Sequence, residues 1–194
     1  MNDRRFPASE AHRLDLPARR IWLPSADVLG AMAVYSGQTV ADVGAGTGYF
    51  SLPLANAVGL QGKVYAVDAQ TEMLALLGYK LDEAAIPNVE LVHAEAGNTT
   101  LPRSSCDLFF AANVWHEFDD RAAVLKEATR VLKAGGQVAI LDWRTDAPPE
   151  PGPPLDHRLD SSNAADELRS QGFQNITVAY VGLYSWLVQG EVKP

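Results

Sequence analysis

A glycine-rich turn separates two apolar segments at residues 40–50, which read Val-Ala-Asp-Val-Gly-Ala-Gly-Thr-Gly-Tyr-Phe. Val40 to Val43 carry the β-branched residues typical of a buried strand. From Tyr49 to Val58, apolar residues recur at helical spacing. Because glycines let a backbone approach a ligand closely, we expect the amides of the turn to face a ligand from the helix N-terminus. The stretch therefore predicts a strand, a turn and a helix that bind a nucleotide-like molecule.

The spacing of the glycines differs from that of a dinucleotide-binding turn, which follows G-x-G-x-x-G. Here the pattern is G-x-G-x-G, and Asp42 lies two residues before the first glycine. A carboxylate at this point repels a phosphate and attracts an ammonium group. After a second predicted strand, Lys63 to Val67, Asp68 stands where an acidic side chain can bind both ribose hydroxyls. The expected ligand thus has an amino group, a ribose and no phosphate against the turn.

Composition narrows the class of protein further. The 194 residues suit one domain, and the net charge of −8 disfavours a broad nucleic-acid interface. Cys106, the single cysteine, excludes an intramolecular disulfide, and we expect it to be a buried structural thiol. The four histidines lack metal-ligand spacing, so no metal is expected. With no apolar run near the ~18 residues of a membrane span and no signal-like segment, we expect a cytoplasmic protein.

Strand-like and helix-like segments alternate along the chain, which predicts an α/β fold with a right-handed, parallel, doubly wound sheet. Residues 1–24 are interpreted as an N-terminal extension that is either mobile or folded over the ligand, and residues 25–194 as one domain. The predicted strands cover residues 40–43, 63–67, 89–94, 107–112, 137–141, 175–180 and 183–188, and the predicted helices cover residues 25–35, 49–58, 71–85, 120–132 and 163–171.

Three lines of the sequence resemble class I S-adenosylmethionine-dependent methyltransferases: DVGAGTG, VYAVDAQTEML and RVLKAGG. The last of these, with the short chain, is similar to the quinone-biosynthesis-like, small-molecule branch of that family. The resemblance implies a Rossmann-like sheet of seven strands, mostly parallel, with an antiparallel C-terminal strand. It also implies methyl transfer from S-adenosylmethionine to a small-molecule acceptor, with S-adenosylhomocysteine as the product. Neither the acceptor nor the oligomeric state follows from these motifs.

The resemblance assigns the cofactor site residue by residue. Asp42 would meet the amino-acid part, Asp68 the ribose, and Glu95 the adenine amino group, although the family more often has aspartate at that last position. Tyr49 would border the methionine end and Met73 the edge of the adenine. The full expected set is Asp42, Gly44, Ala45, Gly46, Gly48, Tyr49, Asp68, Ala69, Met73, Glu95, Ala96 and Asn113.

The acceptor is expected beyond the carboxyl ends of the fourth and fifth strands. His116 is the candidate base, because its ordinary pKa suits proton removal near neutrality, or it orders the loop. Trp115 either lines the acceptor pocket or packs beneath the next helix. Asp142 binds the acceptor or fixes the proline-rich loop 147–154 through Arg144 or Arg158. The predicted substrate pocket comprises Trp115, His116, Asp142 and Trp143, and we expect Glu117 to be solvated.

Several other activities lack their residues. The segment Asn113-Val114-Trp115-His116 is not the Asn/Asp-Pro-Pro-aromatic motif of enzymes that methylate exocyclic base amines. One cysteine cannot supply the metalloid site of an arsenic methyltransferase, and the glycine spacing disfavours an NAD-dependent oxidoreductase. The alternative to an enzyme is a catalytically idle cofactor-binding module or a subunit of a larger enzyme.

Overall fold

The computed structural model describes residues 5–193, so residues 1–4 of the predicted extension and Pro194 lie outside the described residues. The described chain forms one seven-stranded sheet in the order β3-β2-β1-β4-β5-β7-β6. Within this sheet β7 runs antiparallel to both of its neighbours, β5 and β6, and the other paired strands are parallel. The predicted fold class is therefore confirmed. The strands are β1 (Thr39–Val43), β2 (Lys63–Asp68), β3 (Val89–His93), β4 (Cys106–Ala112), β5 (Leu132–Trp143), β6 (Gln174–Val181) and β7 (Ser185–Glu191).

Helices cover both faces of the sheet. The α-helices are α1 (Arg19–Trp22), α2 (Ser25–Ala31), α3 (Ser51–Val58), α4 (Thr71–Glu83), α5 (Arg121–Val131) and α6 (Ser161–Ser170). Three short 3-10 helices lie at Ala8–Asp15, Trp115–Glu117 and Leu155–His157. Helices α5 and α6 pack on one face around Phe109 and Ile140, and α2 and α3 pack on the other around Leu108 and Phe110. The alternation of inward side chains along each strand produces these two cores.

The strand predictions hold with shifted ends. The fifth strand begins at Leu132 rather than at residue 137, so the glycines expected to end helix α5 belong to the strand. Helix α3 begins at Ser51, two residues later than predicted, because residues 44–50 are taken up by the turn. Cys106 is buried at the start of β4, as expected for a structural thiol. Within residues 5–193, no helix is long and apolar enough to cross a membrane.

Candidate active site

A cavity of about 930 Å³ opens at the carboxyl ends of β1, β2, β4 and β5. Parallel strands bring their carboxyl ends to one edge of the sheet, so the motifs that follow those strands meet there. The wall formed by the sheet includes Asp42, Asp68, Asn113 and Trp143. Two other segments complete it: residues 5–22 from the N-terminal extension and the proline-rich loop 149–154.

The glycine turn is anchored to the end of β2. The amides of Gly44 and Ala45 donate to Val67 O at 2.8 and 3.0 Å, and the amide of Gly46 donates to Asp68 Oδ2 at 2.8 Å. These amides are therefore used within the protein, and the prediction that they face a ligand from a helix N-terminus is wrong for this part of the turn. The positive φ angles of Gly44 and Gly46 allow this inward arrangement. The amides of Gly44, Ala45 and Gly46 are therefore not free to bind a phosphate.

Backbone amides donate hydrogen bonds to the Asp68 carboxylate and hold it in position for a ligand. Besides the amide of Gly46, the amide of Gln70 donates to Oδ1 at 2.9 Å. Burial raises the pKa of Asp68, and these backbone hydrogen bonds oppose the rise. A carboxylate can accept about four hydrogen bonds, so Asp68 keeps some capacity to accept from hydroxyl groups in the cavity.

Asp42 is a buried carboxyl group on the cavity wall. Its Oδ2 accepts a hydrogen bond from Ser51 Oγ at 2.6 Å. Burial raises its pKa from 3.8 to about 7, and Ser51 opposes that rise only in part. A desolvated carboxyl group of this kind gains most from a cationic ligand, which would restore its charged form.

His116, Asp142 and Glu117 form a compact cluster, of which His116 and Glu117 line the cavity. His116 Nδ1 lies 2.9 Å from Asp142 Oδ1, and the amide of His116 donates to Asp142 Oδ2 at 2.8 Å. Burial lowers the pKa of His116, but the charge and hydrogen bond of Asp142, together with Glu117, raise it above 6.5 overall. Glu117 Oε1 is 3.9 Å from His116 Nε2. Burial raises the pKa of Glu117 to about 7.

Comparison with known proteins identifies this architecture. The family model described as "Methyltransferase domain" matches residues 41–140, which is more than half of the chain. A crystal structure of a SAM-dependent methyltransferase from Aquifex aeolicus is 31% identical, with a TM-score of 0.92, and the match covers 97% of this chain and 100% of that one. The chain belongs to the S-adenosylmethionine-dependent methyltransferase family. The resemblance inferred from the motifs, and with it the expected cofactor, is confirmed.

Curated relatives include demethylmenaquinone methyltransferases. The one from Geobacillus sp. is 35% identical over 116 residues, which is 60% of this chain and 50% of that protein. The one from Listeria welshimeri is 36% identical over 126 residues, which is 65% of this chain and 52% of that protein. The chain thus spans about half the length of the curated relatives it matches. Their names agree with the quinone-biosynthesis-like branch inferred from the sequence.

The methyltransferase cavity fits S-adenosylmethionine on several independent grounds. Both side-chain amide atoms of Asn113 are buried on the cavity wall without a hydrogen-bond partner among the described residues. Asp68 keeps unused lone pairs, and Asp42 is a buried carboxyl group that a cation would stabilise. The other expected cofactor residues on the wall are Gly44, Ala45, Gly46, Tyr49, Ala69, Met73, Glu95 and Ala96.

Gly48 does not line the methyltransferase cavity, contrary to its assignment as a cofactor contact. A Cβ atom at Gly48 would lie 2.2 Å from Leu77 Cδ1, so this glycine faces helix α4. Its φ of +87° also favours glycine. The residue lets the turn pack closely on α4.

Trp115 and Asp142 also lie elsewhere than predicted. Trp115 is fully buried in the core, where Nε1 donates to Glu167 Oε2 at 2.9 Å, so its assignment to the substrate pocket is wrong. Asp142 is buried behind His116 and does not line the cavity, whereas Trp143 does. Successive residues of a strand point to opposite faces, which explains why β5 sends only one of the two into the pocket.

The proline-rich loop is fixed by Arg158 and not through Asp142. The guanidinium group of Arg158 donates to five backbone carbonyls, those of Arg144, Ala147, Pro148, Pro149 and Pro153. A Cβ atom at Gly152 would lie 2.7 Å from both Arg158 Nη2 and Trp143 Cε3, so only glycine fits there. The loop is therefore held in place by these contacts and forms a wall of the pocket.

Two residues of the site were not predicted from the sequence. Glu117, expected to be solvated, is largely buried and accepts the amide of Phe6 at 3.1 Å. Arg19 is buried on the cavity wall, although nothing in the arginine-rich extension distinguishes it from Arg20.

Among residues 5–193, no group of three or more His, Cys, Asp or Glu side chains is arranged to hold a metal ion.

Proposed function

We propose that the protein methylates a small aromatic acceptor with an ionisable hydroxyl group, such as a hydroquinone. The observation that carries the proposal is that His116 lines the cavity and is backed by Asp142, with 2.9 Å between Nδ1 and Oδ1. The names of the curated relatives, which are demethylmenaquinone methyltransferases, support an acceptor of the quinone class.

His116 is proposed to act as the general base. When Nδ1–H donates to Asp142, Nε2 of the neutral ring carries a lone pair and can accept a proton. Bound S-adenosylmethionine supplies an electrophilic methyl group. Removal of a hydroxyl proton by His116 would make the acceptor oxygen, or a ring carbon conjugated with it, nucleophilic enough to attack that methyl group. Holding the acceptor in line is the other contribution of the pocket.

Aromatic side chains support a planar acceptor. Trp22 and Trp143 both line the cavity, and their ring centroids are 5.0 Å apart. The proline-rich loop adds an apolar wall next to them. Aromatic and proline surfaces of this kind bind flat apolar rings well, while His116 supplies a polar contact for a hydroxyl group.

The N-terminal extension is proposed to cover the cofactor. Its residues line the cavity, and it is tied to the domain by the amide of Phe6 on Glu117 and by Lys80 Nζ, which is 2.6 Å from Asp15 Oδ1. A cover of this kind would exclude water from the reacting groups. We further propose that Glu95, which lines the cavity, contacts the adenine. We also propose that the protein acts in the cytoplasm, in line with a single cysteine that is buried.

The open cavity beside His116 and Trp143 favours an enzyme over an idle binding module. A module without turnover would have this space filled by side chains. The experiment is to incubate the protein with trideuteromethyl-labelled S-adenosylmethionine and a short-chain demethylmenaquinone that has been chemically reduced. We expect labelled product by mass spectrometry with the reduced acceptor and none with the oxidised quinone, which has no hydroxyl proton to lose. Equal labelling of both forms, or of neither, would contradict the proposal.

A further inference from the structure

Glu117 is a second titratable group that lines the cavity beside His116. Its side chain is only 13% exposed, and its Oε1 atom lies 3.9 Å from His116 Nε2. Its other oxygen, Oε2, accepts a hydrogen bond from the amide of Phe6 at 3.1 Å. One oxygen of Glu117 is thus used within the protein, and the other lies next to the nitrogen that is proposed to remove the proton of the acceptor.

The surroundings of Glu117 favour its protonated form. Burial raises its pKa to about 7, and the charges of Asp142 and Asp68 act in the same direction. His116 and the amide of Phe6 oppose the rise. A protonated carboxyl group has one O–H donor and keeps an acceptor oxygen. Because the amide of Phe6 donates to Oε2, the arrangement that satisfies both oxygens places the proton on Oε1, next to His116.

The gap between Glu117 Oε1 and His116 Nε2 has the size of one hydrogen-bonded atom. At 3.9 Å, the two atoms are too far apart to bond to each other directly. A single oxygen atom about 2.8 Å from each of them would complete two hydrogen bonds. Asp142 already lies 2.9 Å from Nδ1 of His116, so Nε2 is the ring nitrogen left for that oxygen. Nε2 of the neutral ring accepts a proton, and the protonated carboxyl group donates a hydrogen bond.

We propose that Glu117, in its protonated form, donates a hydrogen bond from Oε1 to the acceptor oxygen that His116 deprotonates. The inference rests on the proposed function, in which the acceptor carries an ionisable hydroxyl group. The hydroxyl proton moves to Nε2 of His116, and Glu117 keeps its own proton. The hydrogen bond from Glu117 then stabilises the negative charge left on the acceptor oxygen. A hydroxyl group fits this place because it can donate to His116 and accept from Glu117 at the same time.

This role of Glu117 predicts that the pH–rate profile falls at high pH. Above its pKa, Glu117 loses the donated proton, and the resulting carboxylate repels the anionic oxygen. The charge of the deprotonated acceptor favours the protonated carboxyl group, so the fall should occur above about pH 7. A carboxyl group that only anchored Phe6 would accept that amide at least as well when ionised. Such a purely structural role would produce no fall in rate.

Two substitutions of Glu117 test the inference, with the reduced short-chain demethylmenaquinone as the acceptor. Glu117→Gln keeps an N–H donor and an acceptor for the amide of Phe6 but cannot titrate, whereas Glu117→Met has no donor. We expect kcat to fall by about 10²-fold in Glu117→Met and by less than about tenfold in Glu117→Gln, which should also lose the fall at high pH. Glu83→Gln, a change at an exposed glutamate outside the cavity, is the matched control and should retain the wild-type profile.

Calorimetric titration with S-adenosylhomocysteine accompanies the kinetics, and its affinity should be unchanged in all three variants. Equal losses of kcat in the two Glu117 variants, an unchanged rate in Glu117→Met, or a fall at high pH that persists in Glu117→Gln would each overturn the inference. Loss of S-adenosylhomocysteine binding in both Glu117 variants would also overturn it, because the residue would then hold the cofactor site together. If Glu117→Met does not fold, comparison of the wild-type and Glu117→Gln profiles still decides. Absence of product with wild-type protein would instead contradict the proposed function.

Discussion

His116 is the residue on which the proposed chemistry depends, and its neighbours determine its protonation. Asp142 holds Nδ1, the net pKa of His116 is raised, and Glu117 Oε1 is 3.9 Å from Nε2. A base must be neutral to accept a proton, so the raised pKa places the onset of activity at higher pH than for an ordinary histidine. Methyl transfer is therefore expected to increase with pH through a value above 6.5.

Substitution of this pair gives a prediction with two separate signatures. His116→Gln should lower kcat by about 10²- to 10⁴-fold and leave cofactor affinity unchanged. Asp142→Asn removes the charge that raises the pKa of His116, so the inflection of the pH–rate profile should move to lower pH while the plateau falls. The measurement is kcat against pH for each variant, with His12→Gln, an exposed histidine that does not line the cavity, as the control.

Two results would remove His116 from the mechanism. One is an unchanged pH–rate profile in Asp142→Asn protein that still folds. The other is a larger loss of kcat in Glu117→Gln than in His116→Gln, which would assign the base to the carboxyl group with a pKa of about 7.

From the raised pKa of Asp42 we predict that cofactor binding depends on pH. Its pKa is raised to about 7 by burial, so in the free protein the carboxyl group is mostly protonated below that pH. A cationic ligand favours the ionised form, and binding must then release a proton when the free carboxyl group is protonated. Affinity for S-adenosylmethionine should therefore increase from about pH 5.5 to about pH 7.5.

The matching variants make this pH dependence specific. Asp42→Asn should bind more weakly and lose most of the pH dependence, whereas Asp27→Asn, a change on the exposed side of α2, should keep both properties. Calorimetry in buffers of different ionisation enthalpy measures the released proton directly. A pH dependence that persists in Asp42→Asn would show that another group takes up the proton.

For single residues, the sequence predicted the positions of side chains that lie at the end of a strand. It did not predict the positions of side chains whose direction is set by a turn. Asp42 and Asp68 lie at the ends of β1 and β2, so strand position alone places them on the cavity. Asn113 has a φ of +58°, and residues 115–117 form a 3-10 turn. In such a turn neighbouring side chains point about 120° apart, which sends Trp115 into the core and His116 into the cavity.

Among the larger elements, the proline-rich loop owes its conformation to one side chain, that of Arg158. Five carbonyls of residues 144–153 accept hydrogen bonds from Arg158, and the loop lacks regular structure apart from these contacts. Arg158→Met should therefore release the loop, destabilise the protein by on the order of 2 kcal/mol and raise KM for the acceptor more than it changes the affinity for cofactor.

Thermal unfolding and steady-state kinetics together test this prediction. Asp146→Asn removes an exposed partner of Arg144 within the same loop and is expected to change neither measurement. If Arg158→Met lowered the melting temperature and left KM unchanged, the loop would be a structural element and not a wall of the acceptor pocket.

Strand and helix positions were predictable because each has its own hydrophobic period, but their ends were not. The fifth strand starts at Leu132 because Leu132 pairs with Cys106 of β4, and after a register shift the regular pairing resumes at Gln137 with Leu108. Gly135 has a φ of +73°, so the glycines that predict a helix end in the sequence lie instead in the irregular part of this strand. Arg158 has no local signal at all, since its five acceptors lie 5 to 14 residues away along the chain.

For the whole molecule, topology explains why so much of the site follows from the sequence. The order β3-β2-β1-β4-β5-β7-β6 brings the ends of β1, β2, β4 and β5 to one edge, so motifs about 100 residues apart share one cavity. The remaining walls come from the extension and the proline-rich loop, which have no repeating pattern. Their positions depend on tertiary contacts such as Phe6 with Glu117.

We expect the cavity to bind S-adenosylmethionine through Asp42 and Asp68 and not to bind a dinucleotide. The most direct measurement is a calorimetric titration of the full chain with S-adenosylmethionine and, separately, with NAD. We expect one saturable site for S-adenosylmethionine, with binding abolished or strongly weakened in Asp68→Ala, and no binding of NAD. Tight binding of NAD with no response to S-adenosylmethionine would contradict it.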